Sequence, residues 1–138
     1  MANAAGKLFC AKLDSKNLRY KVLEDDYSVL RVGFSLDNTD ADVYFFFGKD
    51  CEDLHLICRL NLKIPESKFE KMYKVCNGLN GQYRWLKFFV NEEENCIQVE
   101  DDAVIQVESA AEEAFELMIR TNRIVDDVFP QVLAGLTS

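Results

Sequence analysis

Residues 28–36 have the sequence SVLRVGFSL, and this stretch decides the fold class. Apolar residues alternate along it with charged or small ones; the first set is Leu30, Val32, Phe34 and Leu36, and the second is Arg31, Gly33 and Ser35. A period of two places successive side chains on opposite faces of a β-strand. The stretch therefore predicts a strand with one face buried in a hydrophobic core.

The segments on either side extend this strand into a sheet. Residues 18–24 precede it, residues 43–47 follow with aromatic side chains on both faces, and residues 54–62 alternate again. Short polar turns separate these segments, as at residues 37–40 and 48–53. Because short turns join antiparallel neighbours, the sequence predicts consecutive strands of one antiparallel sheet.

Two helices are predicted before and after this group of strands. The first covers residues 3–13, with Asn3 as its N-cap. The second opens at Pro65, because proline suits the first helical position, and it is expected to end at Gly78 or Gly81.

A second group of strands leads to the last helix. Strands are expected at residues 85–90 and 97–107, with an interruption near Asp101 and Asp102. Ser109 and Glu112 have the spacing of a capping box, which predicts the start of a helix. Pro130 lacks a backbone N–H, so we expect a kink or a break near it.

The predicted fold is α+β, an antiparallel sheet of about five to six strands with helices packed on it. The element order is α-β-β-β-β-α-β-β-α. The length of 138 residues and the absence of a linker rich in proline, glycine or serine predict one domain over residues 1–138.

The charge balance excludes two classes of partner. The formal net charge is -8, from 24 acidic and 16 basic residues. Such a surface repels the phosphates of nucleic acids and gives no attraction to anionic lipids. The strongest apolar run, residues 43–47, is too short to span a bilayer. The charge either suits a protein partner with a basic or neutral docking segment, or serves solubility alone.

The cysteines indicate a reducing compartment. The chain has five, at positions 10, 51, 58, 76 and 96, without a Cys-x-x-Cys pair. An odd number of unpaired cysteines favours the cytoplasm over an oxidising compartment. Since structural zinc sites usually use close pairs, we expect no metal site. No signal peptide is apparent in the first residues.

The residues that enzymes use for catalysis are not arranged for it here. His55 is the only histidine and stands in a predicted strand without a nucleophile motif nearby. Cys51, near Lys49, is the cysteine best placed for reactivity, but a structural role is favoured for it too. The acidic residues 92–94 and 101–102 lack the spacing of a calcium loop. We predict a protein that is not an enzyme, with no catalytic, cofactor-binding or metal-binding residues.

An apolar surplus supplies the candidate binding surface. Five apolar side chains fall on the strand faces opposite the cleanest hydrophobic sets: Tyr44, Phe46, Ile57, Trp85 and Phe89. If the helices cover only one side of the sheet, these residues form an exposed patch, which marks a surface for a partner or for self-association. In the alternative, the long C-terminal helix covers them.

The sequence from residue 64 onward resembles the YbjN-type family of small bacterial proteins. The resemblance rests on these residues: Ile64, Pro65, Phe69, Tyr73, Asn77, Asn80, the Trp85–Phe88 segment, Asp126, Asp127, Phe129 and Pro130, with Tyr20 and the strand after it fitting the same layout. It covers most of the chain through hydrophobic-pattern motifs. It implies a fold like that of type III secretion chaperones, with a helix, three strands, a helix, two strands and a helix.

The resemblance implies no catalytic residues and directs the functional hypotheses. The first is a non-enzymatic intracellular protein-binding, adaptor or regulatory module of YbjN type. An alternative is a chaperone like those of type III secretion, which are small, acidic and dimeric and bind an extended client segment. Another is a small-ligand-binding or enzymatic domain with a pocket between sheet and helices. A homodimer is left open.

Overall fold

The computed structural model describes residues 1–138 as three helices and six strands. The helices are α1 (Ala4–Ser15), α2 (Phe69–Gln82) and α3 (Ala110–Thr137). The strands are β1 (Lys21–Val22), β2 (Val29–Ser35), β3 (Asp40–Phe47), β4 (Asp53–Arg59), β5 (Lys87–Asn91) and β6 (Cys96–Val104). This order confirms the predicted succession of elements, although β1 is only two residues long.

All six strands form one antiparallel sheet in the order β1-β2-β3-β4-β6-β5. The first four strands are neighbours in sequence and in space, as short turns require. The β5–β6 hairpin joins the sheet through β6. Because β6 pairs with β4, the two predicted groups of strands form one sheet.

The core lies between one face of the sheet and the three helices. The strands contribute fully buried side chains to it, among them Leu30, Val32, Val43, Phe45, Leu56 and Val99. Phe9 of α1 packs against Phe45 and Phe47, with ring centroids 4.7 Å and 5.8 Å away. The alternation of residues 28–36 is thus the alternation between this core and the opposite face.

The start of α1 is fixed by a cap and by a close backbone contact. The side-chain oxygen of Asn3 accepts a hydrogen bond from the Gly6 N–H at 2.9 Å, which confirms the predicted N-cap. A Cβ on Gly6 would lie 1.9 Å from the Tyr27 carbonyl oxygen. Only glycine therefore allows α1 to approach the β1–β2 turn this closely.

The bounds predicted for α2 were wrong at both ends. Pro65 is extended and precedes a 3-10 turn at Glu66–Lys68, so α2 begins four residues later, at Phe69. Gly78 and Gly81 lie inside the helix, which continues to Gln82. Neither glycine has a neighbour near its would-be Cβ, and burial of the opposite face of α2 outweighs their weak helix propensity.

Two features predicted for the second hairpin were also wrong. Trp85 is not in a strand: it has a φ of 80°, and β5 begins only at Lys87. β6 is not interrupted at Asp101 and Asp102, which pair with Leu56 and His55 of β4. The long ladder with β4 holds these acidic residues in the strand despite their low β propensity.

The helix α3 begins where predicted but without the predicted capping box. The Ser109 side chain makes no capping bond to the helix backbone, and its hydroxyl instead donates to Glu113 at 2.7 Å. Of the kink or break predicted near Pro130, the break is absent, because α3 runs through this residue to Thr137.

The β2–β3 turn compensates for Pro130. A proline at position 130 cannot donate the helical hydrogen bond to the carbonyl of Asp126, four residues earlier. The side-chain amide of Asn38 donates to this carbonyl at 2.9 Å, and the Asn38 backbone N–H donates to the Asp126 carboxylate at 2.6 Å. The turn thus binds one end of the sheet to α3 at the carbonyl that the proline leaves without a helical hydrogen bond.

Candidate functional site: the open face of the sheet

The three helices lie on one side of the sheet and leave the other side uncovered. We call this second side the open face; its central residues are Arg31 and Gly33 of β2, Asp42, Tyr44 and Phe46 of β3, His55, Ile57 and Arg59 of β4, Gln98, Glu100 and Asp102 of β6, and Lys87 and Phe89 of β5. Of the two predicted arrangements, covered or exposed, the structure has the exposed one.

A contiguous apolar block occupies the middle of the open face. Tyr44 pairs with Ile57, and Phe46 pairs with His55, across the β3–β4 ladder. The rings of Phe46 and His55 are 6.0 Å apart. These four side chains are half-buried only by one another and their neighbours, since no helix packs on them. An antiparallel sheet can present one face to water, but that face is ordinarily polar.

An ionic cluster borders this block. The Nδ1 atom of His55 is 2.6 Å from the Asp102 carboxylate, and its Nε2 atom is 3.5 Å from Glu100. The Lys87 ammonium lies 3.7 Å from both carboxylates. Both ring nitrogens of His55 thus face carboxylates, as in a cross-strand ion-pair cluster. A catalytic triad would instead need one of them to face a nucleophile.

Gln98 links a second set of polar side chains at one end of the face. Its side-chain oxygen accepts hydrogen bonds from Arg59 at 3.1 Å and Asn91 at 2.7 Å, and its amide donates to Glu100. The residue is only 5% exposed. Its bonds fix the positions of Arg59 and Glu100, so the charge pattern of this end is preorganised.

Three charges among the central residues of the open face have no ionic partner within the chain. Arg31, Asp42 and Arg59 take part in none of the six salt bridges. Asp42 and Arg59 are exposed, and Arg31 is half-buried. The face therefore presents unpaired charges of both signs beside its apolar block.

The structure brings four of the five predicted surface residues onto this face and separates the fifth. Tyr44, Phe46 and Ile57 are adjacent, while Phe89 lies on the edge strand β5, opposite Gln98. Trp85 belongs to the turn before β5, where its ring lies 5.2 Å from the Arg120 guanidinium on α3. Its left-handed backbone removes it from the strand alternation, so its predicted place on this face was wrong.

Two shallow depressions lie at opposite ends of the open face. One, of about 620 Å³, is lined by residues that include Asp40, Asp42, Tyr44 and Arg59. The other, of about 420 Å³, includes Phe46, His55 and Asp102. Both lie on the surface of the sheet. Neither lies between the sheet and the helices, where the hypothesis of a ligand-binding or enzymatic domain places its pocket.

The two edges of the sheet differ in accessibility. On β5, the side-chain amide of Asn80 accepts from the Phe88 N–H at 2.7 Å and donates to the Phe88 carbonyl at 3.0 Å, which occupies that edge. On β2, the Val29 carbonyl accepts a hydrogen bond from the Leu23 N–H, on the side of β1. Because backbone groups alternate in direction along a strand, those of Gly33 and Ser35 point to this same side. β1 ends opposite Arg31, and the backbone there remains unpaired.

The cysteines are placed as structural residues. All five are buried and free. Burial raises the pKa of the Cys58 thiol to about 12 and that of Cys76 to about 11, which disfavours the reactive thiolate. Cys51 is buried in its turn, and its thiol donates to the Asn3 side chain at 3.3 Å.

The structure contains no group of metal ligands and no helix suited to crossing a membrane. No three His, Cys, Asp or Glu side chains are grouped so that they would hold a metal ion. None of the helices combines the length and the apolar character that crossing a membrane requires.

Sequence reasoning missed the charged part of the site. His55 and the acidic residues at 101–102 were each considered alone, as a catalytic candidate and as an interruption of a strand. Their contact depends on the pairing of β4 with β6, which brings together His55 and Asp102, 47 residues apart in sequence. The available signal was the alternation itself, which places Glu100 and Asp102 on the face opposite Val99.

Comparison with known proteins identifies the family and the fold. The model of the YbjN family, described as "Putative bacterial sensory transduction regulator", matches residues 8–134. The crystal structure of YbjN from E. coli aligns with a TM-score of 0.63 and 9% identity, covering 91% of each chain. No curated protein matches the chain in sequence.

Two further solved structures align with most of this chain. A chain of the ExsC–ExsE complex aligns with a TM-score of 0.53 and 13% identity over 87% of this chain and 91% of that chain. A chain of the HopA1–SchA chaperone–effector complex aligns with a TM-score of 0.48 and 13% identity over 89% and 98% of the two chains. The antiparallel six-stranded sheet with three helices, together with the alignments to YbjN and to the ExsC–ExsE chain, confirms the predicted fold class.

Proposed function

The chain belongs to the YbjN family, and we propose that it is a non-enzymatic regulatory or adaptor module that binds a protein partner through the open face. The observation that carries this proposal is the apolar block of Tyr44, Phe46 and Ile57 on a sheet face that no helix covers. Half-buried aromatic groups surrounded by polar ones are typical of protein interfaces. The family description, a bacterial sensory transduction regulator, fits a protein that acts by binding.

The charge pattern and the fold relatives support a protein as the partner. The net charge of -8 disfavours nucleic acids and anionic lipids. The ExsC–ExsE relative is itself part of a protein complex. We place the protein in the cytoplasm, where five free buried cysteines would remain reduced.

The experiment is affinity capture from the source cell with a matched pair of variants. The test variant carries Tyr44→Ala and Phe46→Ala, which shorten two side chains of the open face. The control carries Tyr73→Ala and Leu133→Ala, which shorten two side chains that are 44% and 41% exposed on the helical side. Mass spectrometry should find a partner retained by wild type and control and depleted at least about tenfold by the test variant.

The proposal fails if the partner is retained by the Tyr44/Phe46 variant and that variant is folded. Circular dichroism of both variants establishes folding, and the side chains concerned contribute little to the core.

A chaperone-like role, with an extended client segment as partner, is a second candidate that the free edge of β2 favours. An added strand would bond to the backbone of Gly33 and Ser35, which is unpaired there, whereas Asn80 occupies the edge of β5. Amide hydrogen exchange at these two residues should slow when the captured partner is added. Protection confined to α2 or α3 would speak against this role.

A further inference from the structure

A further depression adjoins the larger one of the open face, on the side of β1, and is bordered mainly by cations. Its volume is about 270 Å³, and its lining includes Arg19, Lys21 and Arg31, while Gly33 and Asp42 lie at its boundary with the larger depression. We call it the Gly33 depression. It has three positive groups and one carboxylate, in a chain whose formal net charge is -8.

Two of these cations are held beside each other by the sheet. Lys21 of β1 pairs directly with Arg31 of β2. Like charges directly opposite each other destabilise an antiparallel pair of strands. Neither side chain, nor that of Arg19, forms an ion pair with a carboxylate of the chain. An anion bound between them would therefore relieve a repulsion that the fold leaves in place.

The glycine at the boundary of the depression is not required by the backbone. Gly33 lies inside β2, and no glycine of the chain has a positive φ. A Cβ at this position would meet one atom within 4 Å, the Asp42 Oδ1 at 3.0 Å, which is the end of a flexible side chain. Glycine weakens the interior of a strand and often marks a place where a ligand or another chain approaches closely. Here it leaves the floor of the depression open.

Two features that weaken a sheet, a like-charge pair and an interior glycine, thus coincide at one concave place. Sequences depart from the preferences of their fold chiefly at functional sites. We propose that the Gly33 depression binds an acidic side chain, Asp or Glu, of the protein partner of the open face. The inference rests on the proposed function, since it names the chemistry of that partner at one end of the same surface.

The surroundings of the depression favour a protein over other anions. A pocket for a small molecule encloses most of its ligand, whereas this depression is shallow and open to solvent. A nucleic acid or an anionic membrane carries negative groups across its whole surface, and these would meet Glu100 and Asp102 on the far side of the apolar block. A protein segment can place one acidic side chain in the depression and apolar neighbours beside Tyr44, which lines the adjoining larger depression.

The first test uses a short blocked peptide of alternating glutamate and valine, and a matched peptide with glutamine in place of glutamate. Amide NMR of the isotope-labelled protein follows both titrations. The glutamate peptide should shift the amides of Arg31 and Gly33 and bind at least about tenfold more tightly than the glutamine peptide, because only a carboxylate forms charge-assisted hydrogen bonds with the cations. Equal binding of the two peptides would overturn the proposal.

A matched pair of variants separates the depression from the overall charge. Lys21→Gln with Arg31→Gln should weaken binding of the glutamate peptide about tenfold. The control, Lys63→Gln with Arg123→Gln, removes the same charge from exposed residues outside the face and should change binding less than about twofold. Circular dichroism checks that both are folded, and the first removes a repulsive pair, so it should be no less stable than wild type. Equal weakening by test and control would contradict the proposal.

Gly33→Ala tests the open floor of the depression. The added methyl group projects into the space that the acidic side chain would occupy, so binding of the glutamate peptide should weaken about fivefold or more. The midpoint of thermal unfolding should stay equal or rise, because alanine restricts the unfolded chain more than glycine does. A variant that binds the peptide like wild type would show that the acidic side chain does not enter the depression.

Two further measurements separate this inference from its alternatives. Inorganic phosphate that shifts the same amides and binds as tightly as the glutamate peptide would indicate a site for free anions and overturn the protein side chain as ligand. In affinity capture, a partner lost by the Tyr44/Phe46 variant but retained by the Lys21/Arg31 variant would overturn only this inference and leave the proposed function standing. A partner retained by both variants would overturn both.

Discussion

The same three strands present two faces of different character. On the helix-covered face, β2, β3 and β4 carry side chains that are fully buried, such as Leu30, Phe45 and Leu56. On the open face, the neighbouring positions carry Arg31, Phe46 and Ile57, which remain half-exposed. The covered face stabilises the fold through burial, and the open face keeps apolar groups that the fold does not require. An apolar group that contributes little to folding is available for binding.

The largest expected effect tests this division directly on two adjacent phenylalanines. Phe45→Ala should lower the free energy of unfolding by about 3–5 kcal/mol, because it leaves a cavity in the core. Phe46→Ala, one residue further and on the opposite face, should cost about 1 kcal/mol or less. Urea unfolding measures both. Equal losses would mean that the open face also contributes to the core.

The second prediction concerns the polar exception on the covered face. Asp101 is buried, and one of its carboxylate oxygens has no hydrogen-bond partner. Burial raises the pKa of this carboxyl from 3.8 to about 6. The folded state therefore holds the proton more tightly than the unfolded state between about pH 4 and pH 6, and stability falls as the pH rises through this window.

Asp101→Asn removes the titration and isolates this effect. Relative to this variant, the wild type should lose on the order of 2–3 kcal/mol of unfolding free energy between pH 4 and pH 7. Urea unfolding at a series of pH values measures the difference. Parallel pH profiles of the two proteins would show that Asp101 ionises in the folded state without cost.

The third and smallest effect tests how α3 is held over the covered face. Asn38→Ala removes the amide that bonds the Asp126 carbonyl opposite Pro130, and it should cost about 1 kcal/mol. In a Pro130→Ala background the helix can supply its own N–H to that carbonyl, so the same change should cost less.

A double-mutant cycle by thermal or urea unfolding measures this coupling. Asp37→Ala, in the same turn but without a side-chain hydrogen bond to α3, is the control and should leave stability nearly unchanged. Strict additivity of Asn38→Ala and Pro130→Ala would show that the amide does not compensate for the proline.

Much of the fold was predictable because its signals are local. The alternation of residues 28–36 and the turns between strands depend only on neighbouring residues, and they predicted the element order correctly. The same alternation predicted the shared face of Tyr44, Phe46 and Ile57. These predictions held because the period of side chains along a strand is independent of the rest of the molecule.

Two of the misses share a cause, which is a contact with residues distant in sequence. Pro130 was expected to kink or break α3, but the helix continues through it, and Asn38, 92 positions earlier, bonds the carbonyl that the proline leaves free. The charged cluster around His55 was missed because the register between β4 and β6 cannot be deduced from either strand alone. Trp85 was misplaced because a single left-handed residue ends the alternation before β5.

The sequence by itself determined the strands, the helices, their order and the presence of apolar side chains on both sides of the sheet, since each follows from local periodicity. Only the tertiary structure decided that all three helices pack on one side. It also decided which charges meet across β3, β4 and β6, because contacts between distant segments arise only when the strands are paired and the core is closed.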